Sequence, residues 1–270
     1  MRVDERFFSS LVSPVDVRDY KVAVLQQEFP EKFELPTVSV KNQGSVGSCV
    51  AHACSSVVEY HNKRQENFDM VFSTEFIYGY RPTGYYVGEG MYVRDALKTL
   101  QKVGDCPQSV LKGNHKCDVA MEIVNANIDE LKESAKPHKI STYAKVKTVD
   151  EIKQALMSFG YVVVNMPWYK NYKLKDGVYT YPENPEKSGY HCVIIYGWDE
   201  RGWLVQNSWG KLWGQNGRFV VPFDFKWTEA WAVTDTIVNG EELIKPQDNW
   251  FIKLFSKLIN WFLNLFKSNK

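Results

Sequence analysis

Cys49 closes the segment Gln43-Gly44-Ser45-Val46-Gly47-Ser48-Cys49 and opens a stretch with helical spacing, a place where a helix dipole favours thiolate over thiol. A thiolate there could attack a carbonyl and pass through a thioester. Taken alone, the pattern more often marks an inert buried cysteine, the commoner use of the residue. With Cys54, Cys106, Cys117 and Cys192 the thiols number five. That odd count, and an N-terminus lacking the basic flank and apolar run of a secretory signal, predict a cytoplasmic chain whose thiols stay free. Cys106, His115 and Cys117 find no fourth ligand at a zinc-like spacing. Cys49, His52 and Cys54 would not converge on one point of a helix, so no metal centre is expected. His52 reads as a core histidine, His61 and His138 as surface or capping residues. Cys192 reads as a buried thiol facing away from its neighbour His191.

The elements that must position these residues come from composition and periodicity. The chain has 270 residues, 44% apolar and 24% charged, and its 33 basic against 32 acidic residues leave a formal charge of +1. This is the profile of a protein with a packed core that needs no disulfides, and it excludes a disordered chain or a dedicated nucleic-acid binder. Residues 1–35, broken by Pro14 and Pro30, read as an extended leader with a short helix from Tyr20 to Phe29. Ala51, Cys54, Val57, Val58 and His61 predict a helix from Cys49 to about Glu66, and further helices are expected at Phe72–Tyr80, Val93–Val103 and Val119–Glu133. After Pro137 the texture turns β-branched. Strands are expected at Lys139–Lys147, Tyr161–Met166, Cys192–Tyr196 and Trp203–Gln206, with a helix at Val149–Phe159 between the first two. Helices first and strands later predict an α+β fold of two lobes, roughly 36–137 and 138–237, with a site in the crevice between them.

Three ordered pieces of the chain resemble the papain-like cysteine peptidases. Val40 to Cys49 (VKNQGSVGSC) is similar to the family's oxyanion-glutamine and nucleophile segment. His191-Cys192-Val193-Ile194-Ile195-Tyr196-Gly197-Trp198 is similar to its histidine strand, 191 − 49 = 142 residues beyond the cysteine. Asn207-Ser208-Trp209-Gly210, continued by Trp213-Gly214-Gln215-Asn216-Gly217, resembles its asparagine loop. The similarity runs from about Pro36 to Ile237 and includes a weaker stretch, Gly88-Glu89-Gly90-Met91, that looks like the glycine strand binding the substrate backbone. The resemblance implies a papain-like fold with a helical N-terminal and a β-rich C-terminal lobe. It implies Cys49 as nucleophile, His191 as its imidazolium partner and Asn207 as the ring's orienter. Gln43 would be an oxyanion donor, Trp209 a cover over the histidine–asparagine hydrogen bond, and Gly88, Gly90 and Trp209 the substrate-binding residues. It calls for no cofactor, and its partner would be a peptide or protein. A thiol acyltransferase, a peptidoglycan-peptide cleaver, or a silent binding or membrane-acting module on the same fold are the rival readings.

The chain also departs from the family pattern. Val46 stands where a cysteine is usual three positions before the nucleophile, Val50 where an aromatic usually follows it, and His52 where an aromatic is common. The 48 residues before Cys49 are fewer than the family's usual inhibitory segment, and residues 1–35 are expected either to cross the cleft or to leave it unregulated. Residues 238–247 read as a linker. Residues 248–270 read as an amphipathic helix with Asp248 as N-cap, a stripe of Lys253, Ser256, Lys257, Asn260, Asn264 and Lys267, and Trp, Phe, Leu and Ile elsewhere. Lys257 and Asn260 argue against a membrane span. From Asn249 onward there are four lysines and no acid. The expected roles are docking on the body, self-association, or peripheral binding to an anionic membrane surface.

Overall fold

The computed structural model describes residues 10–17, 19–22, 24, 28–81 and 88–235. The linker and the amphipathic tail read from the sequence lie outside the described residues. Two short strands come first, β1 (Ser10–Leu11) and β2 (Phe33–Glu34). A helical part follows: α1 (Cys49–Glu66), α2 (Thr74–Gly79), the short β3 (Met91–Tyr92), α3 (Val93–Lys102), α4 (Cys117–Ala126) and α5 (Ile128–Ala135). The remainder is strand-rich: β4 (Ile140–Val146), α6 (Val149–Ser158), β5 (Val162–Tyr169), β6 (Lys173–Lys175), β7 (Val178–Thr180), β8 (Lys187–Asp199), β9 (Gly202–Gln206), β10 (Arg218–Val221) and β11 (Glu229–Asp235). The fold is α+β, as expected.

Helix α1 is the axis of the helical part. Every residue from Cys49 to Asn62 is buried, because α1 lies between α2 and α3 on one side and β5 and β8 on the other. This corrects the surface role expected for His61, which is 3% exposed and whose pKa burial pulls down to about 4. His138 is half-buried with its ring edge-on to Phe72 at 4.8 Å. The helix ends at Asn67, whose φ of 53° is the left-handed cap conformation and whose N–H reaches the Lys63 carbonyl. The single helix expected over Val119–Glu133 is broken at Asn127, whose carbonyl accepts from the Leu131 N–H and starts α5. Helix α6 begins in a capping box, with the Thr148 hydroxyl on the Glu151 N–H and the Glu151 carboxylate on the Thr148 N–H.

The large sheet has the order β4-β11-β5-β8-β9-β10-β7-β6, with β2 added onto β8. In the central antiparallel pair β5–β8, Asn165 lies opposite Cys192 and Met166 opposite His191. One face packs α1, burying Cys192, Ile194 and Tyr196 against Cys49, Val50 and Cys54. The other buries Trp168, Val193, Ile195 and Trp198 together with Leu156 of α6. Alternation along β8 thus sends His191 and Cys192 to opposite faces.

The leader is tied to the body along its described length. β1 pairs in parallel with β3, Asp19 bonds Arg94 at 2.5 Å, and Lys145 N–H donates to the Tyr20 carbonyl. The short helix expected from Tyr20 to Phe29 is not formed at its described positions, because the backbone there pairs with β4 instead of with itself. Phe33 stacks on Trp198 at 5.0 Å, and Trp198 donates its indole N–H to the Pro30 carbonyl.

Candidate active site

Cys49 is the first residue of α1 and is fully buried. No acidic side chain stands in the first turn to offset the positive end of the helix. The preceding hydroxyl, Ser48, does not cap the helix; it lies 3.2 Å from His52 Nδ1 and donates to Asn114 Oδ1 at 3.3 Å. Packing of α1 on β8 brings this helix start to the strand carrying His191.

His191 is fully buried, with Nε2 2.7 Å from Asn207 Oδ1. That oxygen can only accept, so Nε2 bears the proton and Nδ1 is the basic nitrogen of the neutral ring. Asn207 is itself held: Oδ1 also accepts the Ser208 N–H at 2.7 Å, and its own N–H reaches the Gly217 carbonyl. The Trp209 ring lies 4.6 Å from the imidazole at 30°, and Trp168, on β5, stands edge-on at 5.3 Å. Burial pulls the His191 pKa down to about 4 against the Asn207 hydrogen bond, which pushes it up. A thiolate opposite the ring would act in the same sense as Asn207.

Gln43 is fully buried and anchored at both ends of its amide. Nε2 donates to the Val46 carbonyl at 3.0 Å, and Oε1 accepts from the Ser208 hydroxyl at 2.5 Å. The Val46 bond uses one of the two amide N–H groups. Gln43 N–H donates to the Ser208 carbonyl and Gly210 N–H to the Lys41 carbonyl, so the glutamine and asparagine loops are laced together. Gly44 takes φ 54° to turn the chain toward Cys49, and its N–H is received by Asn42 Oδ1. Gly88 and Gly90 also have positive φ, 96° and 100°. The Gly90 N–H donates to the Tyr78 hydroxyl at 3.1 Å, and Arg81 Nη1 donates to the carbonyls of both glycines. This turn is therefore served by its own chain, and Met91 just beyond it pairs with Ser10.

Sequence reasoning did not single out Ser208, Trp168, Tyr78 or Arg81. Ser208 lies inside a quoted motif, yet only the folded loops show its hydroxyl meeting Gln43. Trp168, 23 residues before His191 (191 − 168 = 23), reaches it by strand pairing alone. The other thiols are set apart chemically: burial pushes Cys54, Cys117 and Cys192 up from the ordinary thiol range, and Cys106 up to about 12. Cys106 and Cys117 belong to different clusters, and His115 pairs with Glu75 at 2.7 Å.

The sequence profile of the papain family cysteine proteases matches residues 29–226. The chain belongs to the papain family of cysteine proteases. A peptidase C1-like protein of Acanthamoeba polyphaga mimivirus is 29% identical over 228 residues, 74% of this chain and 71% of the relative. Cathepsin B-like cysteine proteinase 4 of Caenorhabditis elegans is 24% identical over 268 residues, 83% and 79% of the two chains. Among solved structures, xylellain, a cysteine protease from Xylella fastidiosa, superimposes with a TM-score of 0.76 at 23% identity, covering 88% of this chain and 99% of that one. Procathepsin B of Trypanosoma congolense gives 0.66 at 14%, covering 86% and 87%. These two share the fold. As a papain-family member the chain is a cysteine peptidase. Where its sequence departs from the family pattern the side chains are core residues: Val46 and Val50 join the cluster beneath α1. His52 is buried with Nδ1 3.0 Å from the Ser48 carbonyl oxygen, and burial pulls its pKa to about 3.

Proposed function

We propose that the chain hydrolyses peptide bonds through a Cys49 thiolate paired with a His191 imidazolium. The thiolate attacks the carbonyl; His191 protonates the departing amine and then activates the water that cleaves the thioester. Asn207 fixes the ring, Trp209 shields that hydrogen bond, and Gln43 with the Cys49 N–H receives the oxyanion. The observation that supports this reading is the 2.7 Å contact from Nε2 to Asn207, which leaves Nδ1 as the basic nitrogen of the ring. Digestion of a peptide library by wild type and Cys49→Ala tests it: cleavage should vanish in the variant. Product analysis with an added amine separates hydrolysis from acyl transfer.

The leader is proposed to restrain this site. Supporting observations are the pairing of Ser10–Leu11 with Met91–Tyr92, directly after Gly90, and the Leu11 carbonyl accepting from Asn165 Nδ2 opposite Cys192. In addition, Ser13 places both its N–H and its hydroxyl 3.2 Å from the buried Glu229 carboxylate. A peptide substrate reaching Gly90 would compete with this segment. For the tail, peripheral binding to anionic membrane is proposed on its lysine stripe and apolar remainder alone.

A further inference from the structure

Glu89 stands between the two positive-φ glycines of the Gly88–Gly90 turn. The residue is exposed, yet its carboxylate receives three donors from three separate segments. Oε2 accepts the Gly47 N–H at 3.0 Å and the Tyr78 hydroxyl at 2.7 Å; Oε1 accepts the N–H of Cys117, at the start of α4, at 2.9 Å. Gly47 is buried two residues before Cys49, in a loop belonging to neither helix nor strand, and its N–H finds its acceptor in the Glu89 side chain. Tyr78 relays the tie, since its hydroxyl gives to Glu89 and receives from the Gly90 N–H. Arg81 secures the turn's carbonyls and lies 4.2 Å over the Tyr78 ring. The same loop is gripped from α4's approach by Asn114, which donates to the Gln43 carbonyl at 2.8 Å and accepts from Ser48.

We propose that Glu89 is a positioning residue that fixes the loop bearing the oxyanion donors relative to the Gly88–Gly90 turn, a non-covalent tie in a chain where Val46 excludes a disulfide at its position. The proposal rests on the reading that Gln43 and the Cys49 N–H bind the oxyanion. Glu89→Gln keeps the shape but turns an amide NH2 toward one set of donors, so at least one of them loses its acceptor. Loss of the tie lets the loop from Gln43 to Ser48 drift from the geometry the transition state requires, while Cys49, anchored as the first residue of α1, keeps its thiolate and imidazolium partner in place.

The test separates these effects. In Glu89→Gln, kcat on a peptide amide, corrected by active-site titration, should fall about tenfold or more. Affinity for a peptide aldehyde, whose thiohemiacetal needs the oxyanion donors, should fall by a similar factor. Alkylation of Cys49 by iodoacetamide, a displacement at carbon that makes no oxyanion, should stay within about twofold of wild type. Tyr78→Phe, which removes one donor and keeps the ring, should show a smaller loss in the same direction and serves if Glu89→Gln fails to fold. Unchanged kcat and aldehyde affinity in both variants, or alkylation falling in step with kcat, would overturn the proposal. Wild-type cleavage that persists in Cys49→Ala would instead sink the catalytic reading beneath it.

Discussion

At the Gln43 side chain one amide joins two loops, and its energetics divide in a testable way. Its bonds to Val46 and Ser208 hold the loop, whereas an N–H directed at the oxyanion acts only in the transition state. Gln43→Ala is expected to lower kcat by about 10²–10³ with a smaller change in KM. Ser208→Ala, which only loosens the amide, should cost about tenfold or less. Asn207→Ala removes the acceptor that holds Nε2 and raises the His191 pKa, so turnover should fall and the ring's affinity for protons should drop further. Steady-state kinetics on a small peptide amide measures all three; wild-type turnover in both Gln43→Ala and Asn207→Ala would refute the assigned roles. Cys49, His191, Asn207 and Gln43 could be nominated from the sequence because each sits in a local motif. Ser208, Trp168 and Tyr78 act through contacts across 165, 23 and 11 residues respectively, counted to Gln43, His191 and Glu89, and no local pattern marks them.

At the scale of elements, α1, α2, α3, α6, β4, β5 and β9 were readable within a few residues, since periodicity and caps are local properties, whereas of β8 (Lys187–Asp199) only the middle, Cys192–Tyr196, was read. The strands β6, β7, β10 and β11 were not. β11 has its partners β4 and β5 far away in sequence, and short polar stretches such as Lys173–Lys175, in a hairpin with Val178–Thr180, carry too little alternation to mark a strand by themselves. The leader's expected helix failed for the same reason, since Lys21 found a strand partner in Lys145. Its role can be probed without dismantling the sheet. Removing residues 1–15 takes away β1 and Ser13 but leaves β2 on β8 and the stack of Phe33 on Trp198. Such a truncated enzyme should turn over a peptide faster, or be captured faster by an active-site inhibitor. Lower activity with intact circular dichroism would mean the leader completes the site instead of restraining it.

For the whole molecule, burial sets how stability follows pH. His52 and His61 have folded pKa values of about 3 and about 4, below the ordinary value of about 6.5. Their contribution is full above that ordinary value and is lost as pH falls toward the folded values, each by about 1.4 kcal/mol per pH unit. Asp105, raised well above the carboxylate range by burial, runs the other way. The melting temperature should therefore fall from pH 7 to pH 5, and His61→Phe should flatten the slope; a rise on acidification would contradict the account. For the tail, the full chain, but not one ending at Glu242, should co-sediment with anionic vesicles, less so at high salt. Equal sedimentation of the two would assign the tail to packing. The central claim, a thiolate made reactive by His191, is tested most directly by brief iodoacetamide labelling at about pH 5.5 followed by peptide mapping, far below the ordinary thiol pKa of about 8.5. The account predicts label on Cys49 alone, lost in His191→Ala, because Cys54, Cys106, Cys117 and Cys192 are held protonated by burial. Label spread over those four, or undiminished at Cys49 without His191, would contradict it.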